Sequence, residues 1–219
     1  SDNYSIIAHL GMSGSYKVLK KGEVQDYLIL KHDHLIIDLD NFKIVYNDPR
    51  RFGYIDLTNQ DPETHKFLSS LGPEPLSNYF NADNLAENLL NKNKPIKNTL
   101  LDQNIVSGLG NIYVCEALFR SKINPQKNCS KLVTSKGKPR KNLILLVKKI
   151  NEVIKEAIEA GGSSLRDFSN TSGKMGYFQS SFNVYNRENE KCLLGSCDGV
   201  VKRIIQSGRS TFFCSKCQR

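Results

Sequence analysis

The chain has 219 residues, with 31 Lys and Arg against 22 Asp and Glu, a formal net charge of +9 and a pI near 9.2. That length holds one large domain or two small ones, each with its own core. The basic balance suits a polyanion, nucleic acid before an anionic membrane. No run approaches the ~18 uninterrupted apolar residues of a membrane-spanning helix, and no secretory signal is visible in these residues.

From Tyr4 to Leu57 short apolar runs alternate with polar residues: "YSIIAHL", "YKVLK", "DYLIL", "HLIIDL", "KIVYN" and "YIDL". Turns such as "KKGE" and "LDNF" separate them, which predicts an antiparallel sandwich or meander. "VYNDPRRFGYIDL", Val45 to Leu57, reads as a hairpin turned by Asp48-Pro49 and released by Gly53. Its tip carries Arg50, Arg51 and Phe52, where a loop ordinarily has small polar residues. "LGPEPLSNYF", Leu71 to Phe80, reads as an interdomain linker.

Helical patterning follows. Asn81 caps "ADNLAENLLNK", with Ser77 or Asn78 as competing starts. "NTLLDQNIVS" is a second predicted helix. After "GLG", Asn111 opens a third, "IYVCEALFRSK", ending before Pro125. The fourth puts Leu143, Leu146, Val147, Ile150, Val153, Ile154 and Ile158 on one face and ends at Gly161-Gly162. A glycine- and serine-rich loop, "GGSSLRDFSNTSGKMGYF", leads to a cysteine-bearing tail, 184–219.

In that tail Cys192, Cys197, Cys214 and Cys217 are spaced C-x4-C-x16-C-x2-C. Two close pairs on tight turns converge four thiolates on one tetrahedral ion, with zinc the expected metal. Disulfides and reduced thiols are the other readings, and the lack of a visible secretory signal argues against disulfides. "VVKRIIQ" and "STFF" predict a hairpin between the pairs. A unit this small has almost no core, so the metal is expected to supply its folding energy. Cys115 and Cys129 read as plain thiols.

Arg209 lies in a Ser-Gly-Arg-Ser-Thr turn that suits a phosphate as well as a solvated arginine. At Asn111 a helix opens after glycines, and its N–H groups and dipole attract an anion. Lys97, before the second helix, is placed to join it. Taken alone, a capping Asn and a surface Lys explain both positions. The basic loop, the zinc ribbon and the helix opening together favour one shared polyanion.

In order, "HLGMSGS", "KHDH", "DPRRFG", "LGPEPLS", "IKNTLLDQNIVSGLGNIYVCEALF", "GGSSLRDF…GYF" and "SGRSTFFCSKCQ" cover the chain nearly end to end. They resemble the formamidopyrimidine-DNA glycosylases, base-excision repair enzymes. The resemblance implies an α+β architecture in four parts. Residues 1–70 would be the remainder of an N-terminal antiparallel β-sandwich, 71–80 a linker, 81–183 a helix–two-turn–helix domain, and 184–219 a β-hairpin zinc finger with one structural Zn2+. DNA would lie in the cleft between the domains.

By the same resemblance, Met12, Arg50 and Phe52 fill the gap left when a damaged nucleotide is extruded, offsetting lost stacking and pairing. Arg50 would donate to the orphaned cytosine. His32, Lys92, Lys97, Asn111 and Arg209 would contact DNA, with Arg209 also implicated in δ-elimination. The loop 161–178 would close over the everted purine. The implied partner is double-stranded DNA carrying oxidised purines or abasic sites, with no membrane partner. The implied protein is a monomer of the bacterial cytoplasm, working with the nucleoid.

The family's chemistry starts from an N-terminal proline amine that forms a Schiff base at the sugar, assisted by a glutamate and a lysine. No "PELPE" stands here, and "YSIIAHLGM" matches well inside the family's first domain. The expectation is therefore a fragment that binds DNA without cutting. A non-catalytic lesion-binding protein and an endonuclease VIII-type enzyme acting on oxidised pyrimidines are the alternatives. "DPRRFG" and the long loop after Gly162 favour the purine branch.

Overall fold

The computed structural model describes residues 3–20, 22, 27–163 and 176–219. They belong to two compact units, one of Ser1–Ser69 with Gly161–Gln179, the other of Ser70–Ala160 with Ser180–Arg219. Among the described residues no helix is long and apolar enough to cross a membrane. The α+β architecture holds: a β-sandwich, a helical part and a cysteine-bearing β-hairpin.

The first unit contains β1 (Ser5–His9), β2 (Ser15–Lys20), β3 (Asp33–Asp38), β4 (Phe42–Asn47) and β5 (Tyr54–Thr58). They form two antiparallel sheets, β1–β5 and β2–β4–β3. The strands carry the β-branched and aromatic residues expected of a half-buried sheet, and among them Ile7, Val45 and Tyr46 are buried. Tyr16 stands opposite Tyr46 across β2–β4, their rings 5.3 Å apart. On the outer face of the smaller sheet Ile6 faces Leu57, and both are exposed.

The predicted hairpin at Val45–Leu57 does not form. β4 ends in one sheet and β5 begins in the other, so residues 48–53 carry the chain between sheets. The reason is local chemistry. Pro49 has no N–H for a ladder, Arg51 takes a left-handed φ of 57°, and the Gly53 N–H is held by the Asp48 carboxylate at 2.9 Å. "DYLIL" is no strand over its described residues, 27–30. There Asp33 takes local donors, the Leu30 N–H at 2.8 Å and the Tyr27 hydroxyl at 2.9 Å.

The second unit contains α1 (Ala82–Leu89), α2 (Ile96–Leu100), α3 (Asn111–Arg120), α4 (Lys141–Glu159) and the hairpin β6 (Val201–Gln206) with β7 (Arg209–Cys214). Asn81 caps α1 by accepting the Asn84 N–H at 2.9 Å. The second helix is shorter than predicted. Past Leu101 the Asp102 carboxylate takes the Asn104 N–H and the Gln103 amide oxygen takes the Gly108 N–H, and such side-chain bonds compete with a helix ladder.

On α4, Leu143, Leu146, Val147, Ile150, Val153 and Ala157 are buried. Ile158 is exposed and Ile154 only half-buried, because Ala157 takes the last inward position at helical spacing. Gly161, at φ 72°, ends the helix. Arg120 forks onto Glu156 at 2.6 and 2.7 Å, pairing α3 with α4. Within α3 every residue from Val114 to Phe119 is buried, since α4 covers one side and the tail another. The tail, which has almost no core of its own, packs on the helices. Val184, Cys192, Val201, Phe212 and Cys214 share one cluster with Cys115 and Phe119.

Candidate nucleic-acid interface

Two clusters carry the predicted residues, one in each unit. In the first, the turn between β1 and β2 meets the 48–53 link. Gly11 has a φ of 64°, and a Cβ there would stand 2.7 Å from the Phe52 carbonyl carbon, so only glycine fits. On the other side of Met12, the Ser13 hydroxyl accepts the Arg50 N–H at 3.2 Å and donates to Asp48 at 2.6 Å. Met12 is thus bracketed by contacts to Phe52 and Arg50. Met12 and Phe52 are each more than half exposed, and the Arg50 guanidinium stacks 4.6 Å over the Phe52 ring. An apolar side chain, an aromatic ring and a cation are presented together at one tip. That combination can enter a base stack. Hydrogen bonds from the Ser13 hydroxyl and the Gly53 N–H hold the Asp48 carboxyl far below the usual carboxylate range.

His32 sits just before β3, and its carbonyl accepts the Asp48 N–H at 3.0 Å, so the same carboxylate-bearing residue anchors it.

The second cluster centres on the Ser210 carbonyl at the start of β7. Lys97 Nζ donates to it at 3.4 Å and Asn111 Nδ2 at 3.0 Å. Lys97 is fully buried, and Ser210 O is its one acceptor among the described side-chain hydrogen bonds. Burial pulls its ammonium below the ordinary lysine range, and the nearby Arg209 cation adds to this. Asn111 stands in the first turn of α3, after Gly110 at the cap position. Its side chain turns to Ser210 and the Tyr185 hydroxyl, leaving a buried Oδ1 without a partner among the described residues. Arg209 itself is exposed, on a two-residue turn where Ser207 and Gly208 take φ values of 46° and 73°, as a tight hairpin requires. The Asn98 amide fixes that turn through the Ser207 hydroxyl at 2.7 Å. Lys97, Asn111 and Arg209, separated by up to 112 positions, converge here.

Lys92 lies apart in its contacts: its carbonyl accepts from the Cys129 thiol at 3.0 Å. Most of the predicted capping loop, 164–175, lies outside the described residues.

The four tail sulfurs lie within 4.8 Å of one another, and the pairs Cys192–Cys217 and Cys197–Cys214 are each 3.8 Å apart. A tetrahedral ion about 2.3 Å from each sulfur needs edges of roughly 3.8 Å, so one metal ion fits. The turn is shaped for it. A Cβ on Gly199 would meet the Cys214 sulfur at 2.6 Å. Burial pushes the Cys192 and Cys217 thiols up, an opposition that a bound cation removes. Cys115 and Cys129 are buried free thiols.

Two buried polar residues escaped the sequence reading. Glu116 on α3 accepts four hydrogen bonds at 2.9 Å, from the backbone N–H groups of Asn183, Val184 and Tyr185 and the Asn183 amide. Gln218 accepts the Cys214 N–H and donates to the Ile123 carbonyl, both at 2.8 Å. Both tie the tail to the helices. The only signal for Glu116 was a charge inside the apolar run Ile112–Phe119.

Two family models match: the formamidopyrimidine-DNA glycosylase N-terminal domain over residues 1–55 and the H2TH domain of the same glycosylases over residues 71–169. Formamidopyrimidine-DNA glycosylase of Roseobacter denitrificans is 50% identical over 223 residues, covering 98% of this chain and 76% of the relative. That of Agrobacterium fabrum is 46% identical over 233 residues, covering 100% and 78%. Among solved structures, Lactococcus lactis Fpg in complex with abasic-site DNA aligns with a TM-score of 0.83 at 36% identity, over 99% of this chain and 75% of that one. MutM bound to DNA containing carbocyclic 8-oxo-G aligns with a TM-score of 0.83 at 34% identity, over 100% and 76%. With half its residues shared with such relatives, and both clusters carried on the same fold, the chain belongs to the formamidopyrimidine-DNA glycosylase family.

Proposed function

We propose that this protein acts in base-excision repair of oxidised purines in double-stranded DNA, and that the two clusters are its grip on the lesion. The observation that carries this reading is the convergence of Lys97 and Asn111 on the Ser210 carbonyl, next to the exposed Arg209. A buried ammonium with one long hydrogen bond and, among the described residues, no carboxylate partner is costly unless an anion arrives, and a phosphate supplies it. The Arg50–Phe52 stack beside exposed Met12 is the plug for the gap left by an everted nucleotide, with Arg50 donating to the orphaned cytosine. His32 and Lys92 are further backbone contacts. Zinc is the metal for the four cysteines, holding the hairpin that carries Arg209.

The family's glycosidic cleavage and β,δ-elimination are assigned to the protein on the same footing, with Arg209 serving the δ step. The family's "PELPE" motif, which carries the nucleophile, does not occur in these 219 residues. A polypeptide of these 219 residues is therefore expected to bind duplex DNA with an abasic analogue more tightly than undamaged duplex, with a steep salt dependence. It should leave 8-oxoguanine in place and form no adduct under borohydride. Equal affinity for damaged and undamaged duplex would overturn the binding assignment, and a trapped adduct would overturn the chemical one.

A further inference from the structure

We infer that Asp48 is the positioning residue of the stack-entering tip, a buried carboxylate that locks the Met12 turn and the Arg50–Phe52 loop into one rigid piece. The inference rests on the proposed gap-filling role of that tip and adds what makes the tip work as a unit.

Met12 and Arg50–Phe52 lie on separate segments, and their strands belong to different sheets: β1 and β5 in one, β2 and β4 in the other. Neither segment is fixed by a hairpin ladder, since no hairpin joins β4 to β5. Asp48 replaces the ladder. One carboxylate oxygen takes the Ser13 hydroxyl at 2.6 Å. The other takes the Gly53 N–H at 2.9 Å and the Tyr46 hydroxyl at 3.1 Å. The backbone of the same residue donates to the His32 carbonyl at 3.0 Å, accepts the His34 ring nitrogen at 2.9 Å, and accepts the Arg51 N–H at 3.3 Å. One residue therefore reaches the β1–β2 turn, the start of β3, the end of β4 and the entry to β5.

The geometry it enforces is strained. Arg51 stands at φ 57°, a conformation that costs a non-glycine residue free energy and persists only where its surroundings impose it. The reversal at Arg51 separates Arg50 from Phe52 along the chain yet leaves the guanidinium over the ring at 4.6 Å. A wedge must push bases apart without folding back, so its force depends on the stiffness of its mounting. Asp48 supplies that stiffness from beneath, without being exposed to DNA itself: it is buried.

The test compares Ser13→Ala, Ser13→Thr, Asp48→Asn and Arg50→Ala in the full chain. The probe is duplex DNA with a tetrahydrofuran site opposite cytosine or adenine and 2-aminopurine as the neighbouring base. Ser13→Ala and Asp48→Asn should each reduce the cytosine-over-adenine binding preference about fivefold, the equivalent of roughly one hydrogen bond. They should also lower the 2-aminopurine signal of unstacking, while Ser13→Thr, which keeps the hydroxyl, restores both. If Asp48→Asn does not fold, the Ser13 pair decides. Wild-type preference and unstacking in Ser13→Ala, with both lost in Arg50→Ala, would refute the positioning role and leave the gap-filling reading standing. If Arg50→Ala itself changes neither quantity, the gap-filling reading fails, and this inference with it.

Discussion

Lys97 and Asn111 aim their side-chain nitrogens at the same carbonyl oxygen, that of Ser210, from 3.4 and 3.0 Å. Three elements far apart in sequence, the start of α2, the start of α3 and the turn into β7, thereby share one point. The carbonyl holds the two donors in place, and a phosphate placed above them meets a preformed set of N–H groups. Preformed donors reduce what binding must spend on ordering side chains.

Replacing Lys97 with methionine keeps the buried stem and removes the charge. Binding to an abasic-analogue duplex is expected to weaken about tenfold at low salt, and the slope of log affinity against log salt to fall by about one. Fluorescence anisotropy across a salt series measures both. Because burial already pulls the ammonium down, the folded state should be no less stable than wild type. An unchanged salt slope would remove Lys97 from the phosphate contacts.

Glu116→Gln turns a four-fold acceptor into a group whose amide end faces donors. Backbone N–H groups at Asn183, Val184 and Tyr185 compete for one remaining oxygen, at a cost of about 1–3 kcal/mol. A lowered thermal midpoint, with amide exchange accelerated first over 183–185 and the β6–β7 hairpin, is the expected result.

Metal removal should act beyond the tail. The cysteine turns share a cluster with Cys115 and Phe119 of α3, and the same hairpin carries Ser210 and Arg209. Treatment with a strong chelator is expected to release one zinc ion per chain, open the β6–β7 hairpin, and abolish tight binding to abasic-analogue DNA. Zinc readmission should restore all three. Metal analysis with amide exchange follows the structural part. A hairpin still protected after complete metal loss would show that α3 packing alone suffices.

Acid and alkali should both loosen the first unit. Asp48 ionises well below an unfolded aspartate, mainly through the Ser13 hydroxyl and the Gly53 N–H. Its contribution is complete above the unfolded value of about 4 and is lost as pH falls toward the folded one. Burial and then Asp48 push Tyr46 up to about 12. Its contribution is present below the unfolded tyrosine value near 10 and disappears as pH rises through about 12. Unfolding midpoints against pH should show both limbs, and Asp48→Asn should flatten the acid limb and shift tyrosinate absorbance to lower pH.

Much was legible from residues near one another in the chain. Periodicity marked α1, α3 and α4, Asn81 marked a cap, and the close cysteine pairs marked a four-sulfur site, because each signal arises within a few turns of backbone. The ordered motifs also identified the family. Local reading failed where neighbours in sequence parted company. Val45–Leu57 looked like a hairpin, yet its strands joined different sheets, because the partner of each was chosen by distant residues: Tyr46 opposite Tyr16, Ile55 opposite Ala8.

The sequence by itself determined which side chains were available for chemistry: the basic excess, the four thiols, and the arginines and phenylalanine at Arg50–Phe52. Tertiary structure alone decided what those side chains face. A buried lysine and an amide meet at the Ser210 carbonyl, next to Arg209 in the chain, because α2, α3 and β7 pack around it. Glu116 is an anchor rather than a surface charge because three backbone N–H groups from a segment 67 to 69 positions away close on it. Such contacts depend on burial and on which groups remain unpaired after folding, and neither is written in any local stretch of chain.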